Sequence, residues 1–246
     1  ATGKIRLAAS IADLLSKQAV DLTSAGTGSS QSLTPGLPVP TRLGKFTAIA
    51  AGGAVVTAAG GKAAAIATDV ASLDSVRSLA AFAERTFGAV DILCNNAGVS
   101  VAKRGVDASH EDWTWVLGVN LWGVIHGVEA FLPAMRARKD ECHIVNTSSM
   151  NGIFPSARSA MYSTTKYGLL GLSETLANEL VGSNVGISIL CPASVATRIF
   201  ESERNRPAAL VPSQPAAVPH VPSSTFDISP PIDPVTVGEM VLNGIR

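Results

Sequence analysis

Residues 142–191 read CHIVNTSSMNGIFPSARSAMYSTTKYGLLGLSETLANELVGSNVGISILC. An apolar run, Cys142–Thr147, is followed by a helix-like segment, Ala160–Leu180, and a second apolar run, Val185–Cys191, stopped by Pro192. That order predicts two parallel strands joined by a helical crossover. Upstream, Val90–Cys94 is another apolar run, halted by Asn95-Asn96-Ala97-Gly98, and a helical pattern extends from Trp113 to Arg138. Pro133 lies where it would kink or end that helix. Earlier still, Ala64–Thr68 predicts a strand ending at Asp69. Leu73, Val76, Leu79, Ala80 and Ala83 then recur at helical spacing behind Ser72, a suitable N-cap. Strands that are apolar almost throughout are buried on both faces. The fold predicted is therefore α/β, a doubly wound parallel sheet with helices on both faces, in a single domain over 1–246.

Composition supports one sizeable core, with 46% of residues hydrophobic and only 15% charged. Nineteen basic and nineteen acidic side chains leave no net charge, so no global field favours nucleic acid or an anionic membrane as a partner. Cys94, Cys142 and Cys191 lack the paired spacing of a zinc site and read as buried free thiols, which suits a reducing cytoplasm. Asp13, Ser16, Lys17 and Gln18 interrupt any apolar leader, and no apolar stretch reads as long enough to span a bilayer. Trp113, Trp115 and Trp122 read as packing residues. His110, His126, His143 and His220 show no ligand spacing, and no metal site is expected.

The chemistry concentrates on four residues. Tyr162 and Lys166 are four apart on a predicted helix and so share a face; Ser149 precedes the tyrosine by thirteen positions, and Asn120 lies further upstream. A phenol, an ammonium, a hydroxyl and an amide together can move a proton onto or off a carbonyl oxygen. A neighbouring cation favours the phenolate and is expected to lower the tyrosine pKa from its ordinary value of about 10. Singly, each residue has a plainer reading: Tyr162 as core, Lys166 as solvated, Ser149 as a cap, Asn120 as a backbone partner.

Five motifs in order resemble the short-chain dehydrogenase/reductase family over roughly residues 50–206. Leu93-Cys94-Asn95-Asn96-Ala97-Gly98 matches its Asn-Asn-Ala-Gly segment, and Val119-Asn120-Leu121-Trp122-Gly123 the segment bearing its active-site Asn. Ile144–Ser149 matches its fifth strand, where spacing to the tyrosine selects Ser149 over Ser148. Tyr162-Ser163-Thr164-Thr165-Lys166 is its tyrosine–lysine motif, and Pro192–Thr197 resembles its Pro-Gly-x-x-x-Thr turn with Ala193 for glycine. The resemblance implies a Rossmann-like fold and interconversion of a small alcohol and its carbonyl compound with NAD or NADP. It implies Tyr162 as general acid/base and Ser149 as the group polarising the same oxygen. Lys166 would hold the cofactor ribose, and Asn120 a water that relays protons. It also implies cofactor contacts at Asp69, Val70, Asn95, Ala97, Gly98, Tyr162, Lys166, Val195 and Thr197, and a homodimer through helices 113–138 and 160–180.

The early cofactor loop departs from the family. Thr23–Ser30 carries Ser24 and Ser30 where glycines are expected, and Pro35, Pro38 and Pro40 follow instead of a helix. Gly53–Val56 reads as the second strand, but the acid or base that distinguishes NAD from NADP has no counterpart after it. Residues 1–60 are thus a degenerate cofactor-loop region. Residues 198–234 form a substrate lid, with eight prolines between 207 and 234. Asp233-Pro234 opens a last helical pattern, and the family's final strand is not found after it. The rival reading is a non-catalytic relative, a dimerising or ligand-binding domain that retains the active-site text.

Overall fold

The computed structural model describes residues 5–9, 46–49, 62–212 and 230–245. Among these, six strands form one parallel sheet: β1 (Ile5–Ala9), β2 (Phe46–Ile49), β3 (Lys62–Ala64), β4 (Ile92–Asn95), β5 (Cys142–Thr147) and β6 (Val185–Leu190). Their order is β3-β2-β1-β4-β5-β6, so the chain reverses its direction of travel across the sheet between β1 and β4. In open sheets of this kind the crevice beyond the carboxyl ends of those two strands is where ligands bind. Register brings Ala9 opposite Cys94 and Asn95 opposite Asn146.

The helices are α1 (Leu73–Phe87), α2 (His110–Leu117), α3 (Gly123–Arg136), α4 (Ala160–Glu179) and α5 (Pro234–Gly244). Ser72 caps α1 by accepting from Ser75 N, as its position predicts. At α2, Ser109 and Asp112 form a reciprocal capping box, which fixes the start of the helix at His110 rather than Trp113. A π turn, Gly118–Trp122, joins α2 to α3 without a break. Pro133 lies inside α3, which continues to Arg136 before ending.

Alternate residues of β4 serve opposite faces. Leu93 packs with Ile144, Phe131, Met135 and the α1 residues Val76, Leu79, Ala80 and Ala83. Ile92 and Cys94 pack with Val145 on the other face, where α5 contributes Val241. Full burial of each aliphatic side chain stabilises by about 1.5–3 kcal/mol, so the two faces together carry the core. The rod His110–Arg136 is long enough to cross a bilayer and has a mean hydropathy of 1.3 over its most apolar stretch, contrary to the sequence expectation. Its Val116, Val124, Phe131 and Met135 are buried in this fold, which accounts for the apolarity.

One strand expectation changes. The run Ala64–Thr68 supplies only the last residue of a three-residue strand. Beyond Ala64 the chain is irregular, and Thr68 Oγ1 bonds the Ile66 carbonyl instead of a neighbouring strand. Alanine offers little side chain to pack on a pleated edge. The strand pairing with β3 is Phe46–Ile49; the expected Gly53–Val56 strand and the 23–30 loop with its following prolines lie outside the described residues.

A buried polar ladder ties the layers together. Asn95 Nδ2 donates to Asn146 Oδ1 at 2.9 Å, and Asn146 Nδ2 donates to Ser173 Oγ of α4 at 3.0 Å. α3 closes over this ladder at Gly127, where an added Cβ would lie 2.1 Å from Asn95 Oδ1. Gly127→Ala is expected to lower unfolding stability in urea by about 2 kcal/mol, because overpacking outweighs the gain in helix propensity. Gly171→Ala in α4, where nothing lies within 4 Å, is expected to gain up to about 1 kcal/mol.

Candidate active site

The carboxyl ends of β4 and β5 and the first turns of α4 converge. β5 ends at Thr147, and the chain turns through Ser148 and Ser149 into a 3-10 turn, Met150–Gly152. The Ser148 hydroxyl is buried and donates to the Lys166 carbonyl at 2.8 Å, so it fastens strand end to helix. Ser149 is only partly buried. Its Oγ accepts from Asn151 N at 3.2 Å, which leaves its own proton available for another acceptor.

Lys166 is 3% exposed, and its Nζ donates to the Thr147 carbonyl at 2.7 Å. Among the described residues that is its one hydrogen bond, so two donors remain. The ammonium stands 5.3 Å from the centroid of the Tyr162 ring, as i, i+4 spacing predicts. Burial lowers the Lys166 pKa to about 8, against a smaller opposing influence from Cys191.

The acidification expected of Tyr162 is reversed by its burial. Burial pushes the phenol above its ordinary value, and the neighbouring Ser149 hydroxyl only partly offsets it. The tyrosine keeps some surface toward solvent, but desolvation dominates at its ionisable group.

Asn120 lies in the π turn and is fully buried. Its Oδ1 accepts from Val99 N at 2.8 Å, while its Nδ2 donates to Val99 O at 2.9 Å and to Thr165 Oγ1 at 3.4 Å. Both amide donors are therefore engaged, and the second lone pair of Oδ1 is what the side chain offers the expected relay water. What it does is clamp the loop after β4 against α4. Thr165 Oγ1 in turn donates to the Tyr162 carbonyl at 2.7 Å.

The expected cofactor contacts fall into four places. Val70, Asn95 and Ala97 line one crevice with Val119 and Gly123. The Asn95 amide faces inward to Asn146, so that residue offers a ligand its crevice wall and backbone. Asp69 is exposed and its Oδ1 accepts from Ala71 N at 3.0 Å, forming a local turn. Gly98 fronts the lysine: a Cβ there would sit 4.0 Å from Lys166 Nζ and 3.7 Å from Asn120 Oδ1. Val195 and Thr197 lie past β6 in a loop strapped to Ile232, with Ala196 N donating to Ile232 O at 3.0 Å.

These features fit a dinucleotide at the β1/β4 switch point. A buried ammonium with two spare donors beside the Gly98 backbone suits ribose hydroxyls. No cluster of three metal-ligating side chains occurs among the described residues.

Several contributors carry no local sequence signal. His126 Nδ1 bonds the Val70 carbonyl at 2.9 Å and so fixes one crevice wall. Trp122, expected as packing, is 53% exposed and lies against His126, with ring centroids 5.8 Å apart. Cys94 and Cys142 are buried as expected, whereas Cys191 is partly exposed. Lys103 and Arg206 both reach buried Asp112; only the Ser109-x-x-Asp112 capping signature hints at that aspartate in the sequence.

Lys166 predicts a pH signature. In the folded protein its pKa is depressed, so below about pH 8 both folded and unfolded chains carry the charge and the burial penalty is complete. As pH rises from 8 toward the unfolded value the folded chain loses its proton first, and the penalty is relieved. Relative to Lys166→Met, wild-type stability is expected to rise by about 2 kcal/mol between pH 7 and pH 10 in urea titrations. The orphaned Thr147 carbonyl of the variant contributes equally at both pH values.

Residues 47–208 match the family model described as short chain dehydrogenase. An uncharacterised oxidoreductase of Staphylococcus saprophyticus is 38% identical over 138 residues, which are 54% of this chain and 55% of that protein. The D-beta-hydroxybutyrate dehydrogenase of Rhizobium meliloti is 31% identical over 135 residues, covering 55% of this chain and 52% of that one. The chain thus spans about half the length of these curated relatives. A crystal structure of a short chain dehydrogenase/reductase from Burkholderia phymatum in complex with NAD superposes with a TM-score of 0.72. It is 32% identical and covers 87% of this chain and 73% of its own. With the match to the family model extending over most of the sheet and every element that carries the site, the chain belongs to the short-chain dehydrogenase/reductase family of NAD(P)-dependent oxidoreductases.

Proposed function

We propose that the chain interconverts a secondary alcohol and its ketone, with Tyr162 as the general acid/base. The observation that carries this reading is the buried Lys166 ammonium, fixed by the Thr147 carbonyl and lying 5.3 Å from the Tyr162 ring centroid. A nicotinamide cofactor held there would supply or accept the hydride at the carbinol carbon. Lys166 holds the adjoining ribose through its spare donors. Val195 and Thr197 border the nicotinamide end, while Val70, Asn95, Ala97 and Gly98 wall the adenosine side and Asp69 lies at its rim.

In reduction, Ser149 donates a hydrogen bond to the ketone oxygen, and Tyr162 passes its phenolic proton to that oxygen as the hydride arrives. In oxidation, the phenolate takes the proton back from the alcohol. Burial further favours the protonated phenol, which suits Tyr162 to the reductive direction. Oxidation then requires the phenolate, so it should accelerate toward alkaline pH. The phenol and hydroxyl together address one oxygen, and this chemistry fits small carbonyl compounds.

The exposed Trp122 of the π turn, 53% exposed, and Tyr167 of α4, 43% exposed, support a homodimer through helices 113–138 and 160–180.

Tyr162→Phe is expected to reduce kcat by at least about 100-fold, within the usual range for losing a general acid. The assay is a panel of cyclohexanone, acetophenone and ethyl acetoacetate with NADH and with NADPH. Undiminished turnover by the variant would contradict the reading. A companion absorbance titration compares wild type with Tyr162→Phe; only Tyr162 and Tyr167 contribute phenols. The difference between them should titrate above pH 10 in the cofactor-free protein.

A further inference from the structure

Downstream of the Pro192–Thr197 loop, residues Ile199–Asn205 and Ala208–Leu210 form two short 3-10 segments. They belong to the stretch read from sequence as a lid, of which residues 213–229 lie outside the described residues. What fixes the described part is charge. Arg206 is 4% exposed at its side chain, and its Nη2 bonds Asp112 Oδ1 at 2.8 Å. The second oxygen of Asp112 accepts from Lys103 Nζ at 2.5 Å and from Ser109 N at 3.0 Å. Asp112 is itself fully buried, so both carboxylate oxygens are occupied in a dry site. Arg206 also bonds Glu203 through Nε at 2.7 Å and the Leu210 carbonyl through Nη1 at 3.0 Å, and its guanidinium stacks 4.4 Å from the Trp115 ring centroid.

These contacts run to the active site from two sides. Trp115 packs with Val99, Val116 and Met161, and Leu210 joins the same cluster. Met161 precedes Tyr162, while Val99 is the residue Asn120 clamps. Ser202 gives a second tie, its Oγ accepting from Ser100 N at 3.0 Å. A guanidinium is suited to this point because its planar fork can serve two acceptors while its face stacks on an indole. Burial alone would raise the Asp112 pKa, yet hydrogen bonds from Lys103, the Ser109 backbone and Arg206 hold it below the usual carboxylate range. The anion is thus kept where both cations need it.

We propose that Arg206 is a positioning residue for the reaction read above: its junction with Asp112 and Lys103 locks the 199–210 segment over the loop after β4. That lock makes the segment a fixed wall on the substrate side of Tyr162. Asp112 and Lys103 form the socket, and Arg206 is the part that plugs into it. The inference rests on the proposed redox reading for its kinetic consequence, but not for the lock itself.

Arg206→Met tests it, since Asp112 keeps Lys103 and is not left as a lone buried charge. Hydrogen–deuterium exchange on the cofactor-free protein should show amides of 199–210 exchanging at least about tenfold faster, with α4 unchanged. With whichever of cyclohexanone, acetophenone or ethyl acetoacetate wild type reduces best, KM should rise about tenfold. Cofactor Kd and kcat should stay within about threefold. Arg206→Lys, which keeps the charge but not the fork, should recover part of both changes and serves in its place if the methionine variant does not fold. Unchanged exchange in 199–210, or faster exchange throughout the protein, would overturn the lock. A local gain in exchange with KM unmoved would overturn the positioning role. If wild type reduces none of the three ketones, the redox reading and the positioning role built on it fall together, and exchange still decides the lock.

Discussion

An ammonium taken out of water and held by a single carbonyl organises this molecule. Lys166 reaches the end of β5, where Thr147 O accepts from it at 2.7 Å. Isolating a cation in this way carries a desolvation cost, visible in a pKa lowered to about 8. A fold tolerates such a cost where a ligand can meet the unused donors, and perturbed ionisable groups gather at sites of that kind. Two further constraints follow from the same placement. The Tyr162 ring must share the lysine's helical face, and the backbone at Gly98 runs beside the ammonium.

The surrounding polar groups serve this arrangement without touching a substrate. Ser148 fastens α4 to the strand end through the Lys166 carbonyl, Asn120 fastens the loop after β4 to α4, and the Asn95–Asn146–Ser173 ladder fixes the strands beneath. Each of these buried groups is paired, and among the described residues no buried side-chain nitrogen or oxygen lacks a partner. Satisfied networks of this sort hold a single geometry, because any displacement leaves a donor or acceptor stranded in a low dielectric. The π turn at Gly118–Trp122 delivers Asn120 into that network from within a continuous helical rod.

Legibility in the sequence followed the range of the interactions. Tyr162 and Lys166 are readable because helical spacing is local, and β5 because its short run around Ile144 and Val145 precedes a helical pattern. Ser149 was distinguishable from Ser148 only through its spacing to the tyrosine; in the structure the two hydroxyls do point to different partners. β3 was misplaced because alanine-rich text has no period to mark its ends. The direction of the Tyr162 shift was misjudged for a deeper reason: sequence shows the neighbouring cation but not the desolvation opposing it. Arg206 and Asp112 are 94 residues apart, so nothing in either local pattern announces their pairing.

The central claim concerns the protonation of one buried amine, and NMR can read it at the atom. Specific 13C labelling at lysine Cε, with Lys166→Met to assign the resonance, allows the cofactor-free protein to be titrated from pH 6 to pH 11. The account predicts a midpoint near pH 8 for Lys166. A midpoint at or above the ordinary lysine value of about 10.4 would show a solvated ammonium and contradict it.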